Sequence, residues 1–290
     1  MRLARPAVAA LSALAPGLAA RLAERLFLTP ERHRAPAHET AALASARRTI
    51  VHVDGAPVTA WTWGHGPVVL LVHGWAGRGA QLASFVGPLV ANGCSVVTFD
   101  APGHGASPER RSSIVAFVRA IQAVSGALGP VRAVIAHSIG TVAAARALYE
   151  GLDADAAVFI APPADLTLSA HTILETLGFG LAARERMQAN IERRLGVAWS
   201  ALDVRGYAAE MRTPLLVVHD RDDAEVPWQD GAIIARAWPA AALETTGGLG
   251  HRRILQDPCV VSGAAAFVVD RVRPGAGLPA LEEEATLTPS

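Results

Sequence analysis

Residues 131–140 read VRAVIAHSIG, and this stretch decides how the rest of the chain is interpreted. A short run of apolar, mainly β-branched residues ends at Ser138, and an Ala-rich helical pattern follows over residues 141–150. A strand, a sharp turn with serine at its tip and a helix form a nucleophile elbow, in which small residues let the two arms approach closely. Ala136 and Gly140 are those small residues, with Ala136 standing where glycine is usual. The pentapeptide alone also fits a serine that caps a helix after a buried strand.

Length and composition limit the class of protein. The chain has 290 residues, 51% of them hydrophobic, and 26 basic residues balance 26 acidic ones. This suits one large α/β domain with a substantial core, and the zero net charge gives no indication of nucleic-acid binding. Two cysteines, Cys94 and Cys259, cannot define a disulfide framework, and we expect both to be buried as small apolar residues.

Strand-like and helical patterns alternate from residue 49 onward. The first two of eight predicted strands flank Asp54-Gly55, which is a hairpin turn signal. The following strands alternate with helices, which predicts a mostly parallel sheet with helices on both faces. In such sheets functional loops collect at the carboxyl ends of the strands, so the residues that follow each strand are the candidates for a site.

Five motifs stand at those strand ends in a fixed order. They are HGW at 73–75, FDAPGHGAS at 99–107, AHSIG at 136–140, DAEVP at 223–227 and GLGH at 248–251. With these motifs the chain resembles the α/β-hydrolase family over roughly residues 49–272. The resemblance implies an eight-stranded, mostly parallel α/β-hydrolase sheet with a small helical cap. It also favours Ser138 as a nucleophile, because a helix cap would not explain the other four motifs.

The resemblance implies a catalytic triad in the chain order Ser138, Asp223, His251. Ser138 is the nucleophile and His251, in the loop after the last strand, is the general base. Asp223 stands three residues before Val226-Pro227, as the family pattern requires of the acid that orients the histidine. We expect the neighbouring Asp220 and Asp222 to be solvated in the loop or to cap the segment at 226–238.

The family pattern also implies an oxyanion hole formed by the backbone N–H groups of Trp75 and Ile139. We expect His104 to be a structural turn residue and His137 to pack under the neighbouring loops. A serine at the elbow separates the chain from epoxide hydrolases and haloalkane dehalogenases of this fold, which use aspartate there. The sequence contains no metal-ligand cluster, P-loop or dinucleotide fingerprint, so no cofactor and no metal are implied.

These features predict a cofactor-free serine hydrolase that cleaves carboxylic esters through an acyl-enzyme. A thioesterase, a lactonase, a C–C bond hydrolase or a perhydrolase would use the same residues. A membrane-surface lipase and a non-catalytic scaffold of the same fold are further alternatives. The expected partner is a small-molecule ester, and the sequence does not indicate an oligomeric state.

The predicted core, residues 49–163 and 207–273, is interrupted by a segment that has no strand pattern. Residues 164–206 carry helically spaced apolar side chains and predict a small helical cap. If part of this apolar stripe faces Ser138, it lines an apolar acyl pocket of limited volume. The alternative is that the whole stripe packs on the core.

Residues 1–48 are predicted to form an amphipathic helix and a linker. Leu11, Leu14, Leu18, Leu22 and Leu26 form one helically spaced stripe, which favours a helix docked on the protein. A cytoplasmic location follows from this interpretation. The alternatives are a signal peptide or a membrane-surface helix, with membrane contact through residues 1–28. Residues 274–290 are rich in Gly, Pro and Glu and predict a disordered tail.

Overall fold

A computed structural model describes residues 5–272, so the predicted tail at 274–290 lies outside the described residues. Eight strands form one sheet: β1 (Arg47–Val53), β2 (Ala56–Trp63), β3 (Val68–Val72), β4 (Ser95–Phe99), β5 (Val131–His137), β6 (Ala156–Ile160), β7 (Leu215–Asp220) and β8 (Ala241–Thr246). Their order across the sheet is β1-β2-β4-β3-β5-β6-β7-β8. The pairs β1/β2 and β2/β4 are antiparallel and all others are parallel. The predicted eight-stranded, mostly parallel sheet is confirmed.

Eleven α-helices and five short 3-10 helices surround the sheet in the described residues. The α-helices are α1 (Arg5–Leu14), α2 (Pro16–Phe27), α3 (Ala37–Ala44), α4 (Val86–Ala91), α5 (Ile114–Leu128), α6 (Ile139–Tyr149), α7 (Leu166–Thr176), α8 (Leu181–Leu195), α9 (Trp228–Ala237), α10 (Gly250–Arg253) and α11 (Pro258–Val272). The 3-10 helices are Gly79–Phe85, Trp199–Leu202, Val204–Gly206, Ala208–Glu210 and Ile254–Gln256.

The central strands lie inside the sheet because their side chains are mainly apolar and are buried on both faces. Every residue of β4, β6 and β7 is buried, as expected for parallel strands covered by helices on both sides. Helices α5, α6 and α9 cover one face, and α4 and α11 cover the other. This packing brings the loops that follow β3, β4, β5, β7 and β8 to one edge of the sheet.

A third apolar cluster lies apart from the two faces of the sheet. It joins the amino-terminal helices α1 and α2 to α7 and α8 of the insert, and we call these four helices the four-helix cap. Leu174, Met187 and Ile191 of the predicted insert stripe are buried in it, whereas Ile173 and Leu181 are exposed. The buried part of the stripe therefore packs mainly against the amino-terminal helices.

The predicted leucine stripe of the amino-terminal helix is wrong in detail. Pro16 cannot donate an N–H to a preceding turn, and the helix is interrupted at residue 15. Leu14 and Leu18 are 87% and 56% exposed, whereas Ala19, Ala20 and Ala23 are buried. Small side chains let α2 approach α8 closely, so the alanine face is the one that is buried.

Two further expectations need correction. The segment interpreted as a linker contains helix α3, whose Glu39 is buried against the Arg78 guanidinium. Cys94 is buried as expected, but Cys259 is exposed, because it lies in the first turn of α11. Among the helices of residues 5–272, none has the length and apolarity needed to cross a membrane.

Candidate active site

The turn between β5 and α6 holds Ser138 in a strained conformation. Its φ is 54° and its ψ is −130°, a combination that L-residues rarely adopt. A Cβ at Gly140 would stand 2.4 Å from the His73 carbonyl oxygen, so only glycine fits there. A Cβ at Gly74 would stand 2.9 Å from the Cβ of Ser138, which places the loop after β3 directly beside the serine. The structure thus has the sharp strand–serine–helix turn that the sequence predicts.

His251 and Asp223 reach Ser138 from two other strand ends. The His251 Nε2 atom lies 3.0 Å from the Ser138 Oγ, and its Nδ1 lies 2.7 Å from the Asp223 Oδ2. An ionised carboxylate only accepts hydrogen bonds, so the His251 Nδ1–H donates to Asp223 and Nε2 is left to accept from the serine hydroxyl. The structure therefore brings together the three side chains that the sequence selects.

Hydrogen bonds keep the Asp223 carboxylate ionised in a buried place. Its side chain is fully buried, and its Oδ1 accepts from the N–H groups of Glu225 at 2.8 Å and Val226 at 2.9 Å. Burial alone would raise the pKa of Asp223. The hydrogen bonds from His219, His251 and Val226 outweigh burial and hold that pKa far below its usual range.

Asp220 is not solvated in the loop, contrary to the expectation. It is fully buried, and its carboxylate accepts from the Thr246 hydroxyl at 2.6 Å and from the Leu249 N–H at 3.0 Å. Burial opposes ionisation, but the hydrogen bonds lower the pKa of Asp220 below its usual value. Asp222 accepts from the Gly248 N–H at 2.8 Å. Both carboxylates therefore tether the loop that carries His251.

His137, next to the serine, also positions His251. Its Nε2–H donates to the His251 backbone carbonyl at 2.9 Å, and the two imidazole rings lie 4.7 Å apart. Burial lowers the pKa of His137 to about 3, so its ring is neutral at pH 7. From the sequence alone we expect only that His137 packs under the neighbouring loops, because its partner lies 114 residues away.

The two backbone groups predicted for an oxyanion hole flank the serine. Ile139 is the first residue of α6, where N–H groups have no partner within the helix. Trp75 follows Gly74, the residue that contacts the serine. Within residues 5–272, neither the Ile139 N–H nor the Trp75 N–H donates to another protein group. Both groups are thus available to a ligand.

Two buried side chains fix the loop that carries Trp75. The His73 Nδ1–H donates to the Gly74 carbonyl at 2.7 Å, while its Nε2 accepts from the Ala101 N–H at 3.0 Å. Burial lowers the pKa of His73 to about 4, which keeps this neutral tautomer at pH 7. The Asp100 carboxylate accepts from the Gly79 N–H at 2.8 Å, and burial raises its pKa. The loops after β3 and β4 are therefore tied to each other.

His104 lies behind this loop and away from the triad contacts. It is 1% exposed, and its Nδ1–H donates to the Pro102 carbonyl at 3.0 Å. Its Nε2 has no protein partner among the described residues. Burial lowers the pKa of His104 to about 3. Between residues 5 and 272 there is also no group of three or more His, Cys, Asp or Glu side chains arranged to hold a metal ion.

Comparisons with known proteins agree with this fold. Residues 69–265 match the family described as "Alpha/beta hydrolase family". A curated relative, the putative carbamate hydrolase RutD of Pseudomonas savastanoi pv. phaseolicola, is 38% identical over 69 residues, which are 24% of this chain and 26% of that protein. The match therefore spans about a quarter of the relative's length.

Solved structures show the same fold. The esterase Pf2001 of Pyrococcus furiosus has a TM-score of 0.65 at 16% identity, with 84% of this chain and 100% of that chain covered. The esterase EaEST from Exiguobacterium antarcticum has a TM-score of 0.61 at 15% identity, with 77% and 99% covered. At these identities the likeness speaks for the fold alone. The family match, which covers most of the chain, shows that this protein belongs to the alpha/beta hydrolase family.

Proposed function

We propose that the protein is a serine hydrolase that cleaves carboxylic esters of small to medium apolar substrates through an acyl-enzyme. The observation that carries the proposal is the relay from Asp223 through His251 to Ser138, with distances of 2.7 Å and 3.0 Å. A serine hydroxyl is a weak nucleophile unless an adjacent base removes its proton. The relay supplies that base and holds it in the required tautomer.

In the first half of the reaction, the Ser138 Oγ forms a bond to the ester carbonyl carbon while the His251 Nε2 takes the hydroxyl proton. The carbonyl oxygen becomes an oxyanion, and in this proposal it accepts hydrogen bonds from the N–H groups of Trp75 and Ile139. Each such donor contributes on the order of 3 kcal/mol to the transition state. The intermediate then collapses, the ester C–O bond breaks, and the alcohol leaves with the proton from His251.

In the second half, water attacks the acyl-enzyme and gives its proton to His251. The bond between the acyl carbon and the Ser138 Oγ breaks, the serine regains its proton, and the acid is released. Asp223 stays ionised throughout and stabilises the imidazolium that forms twice in the cycle. Its lowered pKa suits this role, because it does not take the proton from His251.

The preference for an apolar acyl group rests on the residues around the cap. Trp199 and Phe179 are buried in the apolar cluster of the four-helix cap, and Trp75 is half-buried beside the serine. Thioesters, lactones and substrates of C–C hydrolases or perhydrolases would engage the same triad. The short match to a putative carbamate hydrolase adds carbamates to the classes worth testing.

The test is a screen of the purified protein against p-nitrophenyl esters from acetate to laurate, with thioester, lactone and carbamate panels beside it. We expect esters to be the preferred class and kcat/KM to rise and then fall with acyl length. Each buried methylene should add up to about 0.8 kcal/mol until the pocket is full. A flat profile, or a preference for charged acyl groups, would contradict an apolar pocket.

The matched variants are Ser138→Ala and Ser262→Ala. Ser138→Ala should abolish turnover without changing the far-UV circular dichroism spectrum. Ser262 is an exposed serine of α11, and its replacement should leave turnover unchanged. Undiminished turnover of Ser138→Ala would show that another group carries the reaction.

A further inference from the structure

We propose that Phe27, the last residue of α2, forms a wall of the acyl-binding pocket and sets the length of acyl group that the enzyme accepts. The amino-terminal helices thereby supply a specificity-determining residue to a site that is otherwise formed by loops at the carboxyl ends of the strands. The inference rests on the proposed ester hydrolysis and extends it to a segment that lies outside the motifs of the core.

Phe27 joins the cap to the loop beside the nucleophile. Its ring stacks on Trp75, with centroids 6.3 Å apart and planes at 25°, and on Trp199, with centroids 5.4 Å apart and planes at 27°. Trp75 follows Gly74, where an added Cβ would stand 2.9 Å from the Ser138 Cβ. The three rings thus connect the four-helix cap to the loop that follows β3, beside Ser138, and Phe27 is the middle one.

The surface of these rings suits an alkyl chain. Trp199 is buried, whereas Phe27 and Trp75 are only half-buried. Behind Trp75 lie Phe117, with centroids 6.5 Å apart, and the His104 ring, with centroids 5.2 Å apart. Burial keeps His104 neutral at pH 7, so the wall carries no charge that would oppose an apolar group.

The position of Phe27 is fixed from both sides. Directly after it, the Leu28 carbonyl accepts from the Ser112 N–H at 2.9 Å. The Arg32 guanidinium donates to the Gly103 carbonyl at 3.1 Å and to the Ser107 carbonyl at 2.6 Å. These acceptors belong to the loop after β4, which lies at the same edge of the sheet as Ser138.

On the other side, α2 is fastened to the insert. The Glu24 carboxylate, which is 9% exposed, lies 2.5 Å from the Arg194 guanidinium of α8. Ala19, Ala20 and Ala23 are buried in the same contact. A ring held in this way stays in place while substrate binds. A residue that limits the length of the acyl group must be rigid in this sense.

The experiment compares kcat/KM for p-nitrophenyl laurate and butyrate in the full chain and its variants. Phe27→Ala should open the wall and raise the laurate-to-butyrate ratio about tenfold, the gain expected from room for one or two more methylenes. Phe27→Trp should narrow the pocket and lower the ratio. Opposite shifts from a smaller and a larger side chain are an outcome that a merely structural role would not produce.

The control is Met187→Ala, which removes a fully buried side chain from the same cap cluster. It should lower the melting temperature and leave the laurate-to-butyrate ratio within twofold of wild type. An equal ratio shift in Met187→Ala, or a ratio unmoved in both Phe27 variants, would overturn the inference. If Phe27→Ala does not fold, Phe27→Leu replaces it, and the laurate-to-butyrate ratio should again rise.

A second readout separates this inference from the proposed function. Ethyl and dodecyl fluorophosphonates modify an activated serine without a need for turnover, and the Phe27 variants should shift their relative rates in the same directions. If wild-type protein reacts but the Phe27 variants show unchanged relative rates, the pocket inference is wrong and the serine hydrolase proposal stands. If wild-type protein neither reacts nor hydrolyses any ester, the proposed function itself is wrong.

Discussion

The loops at the carboxyl edge of the sheet and the four-helix cap are held together by different forces. The loops are fixed by buried polar groups, chiefly His73, Asp100, His137 and Asp220, each at most 6% exposed and each hydrogen-bonded to a neighbouring strand end. The cap is held mainly by apolar packing, and several of its leucines face solvent. Hydrogen bonds have a required length and direction, whereas apolar contacts can be exchanged at little cost.

This difference assigns different tasks to the two regions. Directional bonds hold Ser138, Asp223 and His251 in a fixed arrangement, which the proposed reaction requires of its reacting groups. Apolar packing presents a surface whose shape depends on the size of the side chains that form it. We therefore expect substitutions in the strand-end loops to change kcat or the stability of the fold. Substitutions in the cap should change specificity where the side chain reaches the loop after β3, as Phe27 does, and only stability where it is buried within the cap.

The largest effect is expected from Asp223→Asn. An asparagine amide would favour the wrong tautomer of His251, so kcat should fall by about 10⁴-fold, as loss of the acid does in other triads. The measurement is steady-state kinetics on the best ester found in the screen. Asp222→Asn is the matched control, because its carboxylate binds the Gly248 N–H and not His251.

The loss of kcat in Asp220→Asn should lie between the losses in these two variants. It weakens the tether of the loop that carries His251, so both the melting temperature and kcat should decrease. If Asp222→Asn proves as damaging as Asp223→Asn, the assignment of the acid is wrong.

The next effect concerns the elbow itself. In Gly140→Ala the new Cβ would stand 2.4 Å from the His73 carbonyl oxygen and 3.0 Å from that of Val72, and backbone atoms cannot easily yield. The free energy of unfolding should fall by about 3 kcal/mol or more, measured by urea denaturation. Gly87→Ala in α4 has no atom within 4 Å of the new Cβ. It should be neutral or slightly stabilising, because alanine favours the helix.

A smaller effect comes from pH. Burial lowers the pKa of His73 to about 4 and those of His104 and His137 to about 3, whereas an unfolded chain protonates histidine near about 6.5. Between these values the unfolded state binds protons that the folded state excludes. The stability from these residues is therefore complete above about pH 6.5 and is lost progressively as the pH falls to about 4 for His73 and about 3 for His104 and His137.

At pH 5 each of the three histidines should cost about 1–2 kcal/mol of unfolding free energy relative to pH 7. His104→Asn retains a donor for the Pro102 carbonyl and removes one titrating group, so its unfolding free energy should change less between pH 7 and pH 5. The control is His65→Asn, at an exposed position. Its unfolding free energy should change between pH 7 and pH 5 by as much as that of wild type. An equal pH dependence in His104→Asn and wild type would contradict the burial argument.

The same contrast explains what the sequence could predict. Ser138 and Asp223 follow strands with strong apolar patterns, and a short motif marks each of these residues and His251, so the sheet and the closeness of these three side chains could be predicted. The tethers formed by His137 and Asp220 could not, because each joins residues that only the folded chain brings together. A buried aspartate and a solvated one look alike in a loop sequence.

The cap was harder to predict because its contacts follow no motif. The leucine stripe of residues 11–26 suggested the wrong buried face, since close approach of α2 to α8 selects small alanines. The contact of Phe27 with Trp75 and Trp199 joins three parts of the chain with no common pattern. Sequence periodicity indicates that a helix is amphipathic, but it does not identify the partner.

The central claim, that Ser138 is an activated nucleophile, is tested most directly by covalent labelling. Wild-type protein is incubated with a fluorophosphonate at pH 7.5 or so, a pH above the usual histidine pKa of about 6.5, and the modified peptide is identified by mass spectrometry. The account predicts one adduct, on Ser138, that is absent in Ser138→Ala and strongly slowed in His251→Ala. No adduct on the folded wild-type protein, or an adduct on another residue that persists in Ser138→Ala, would contradict it.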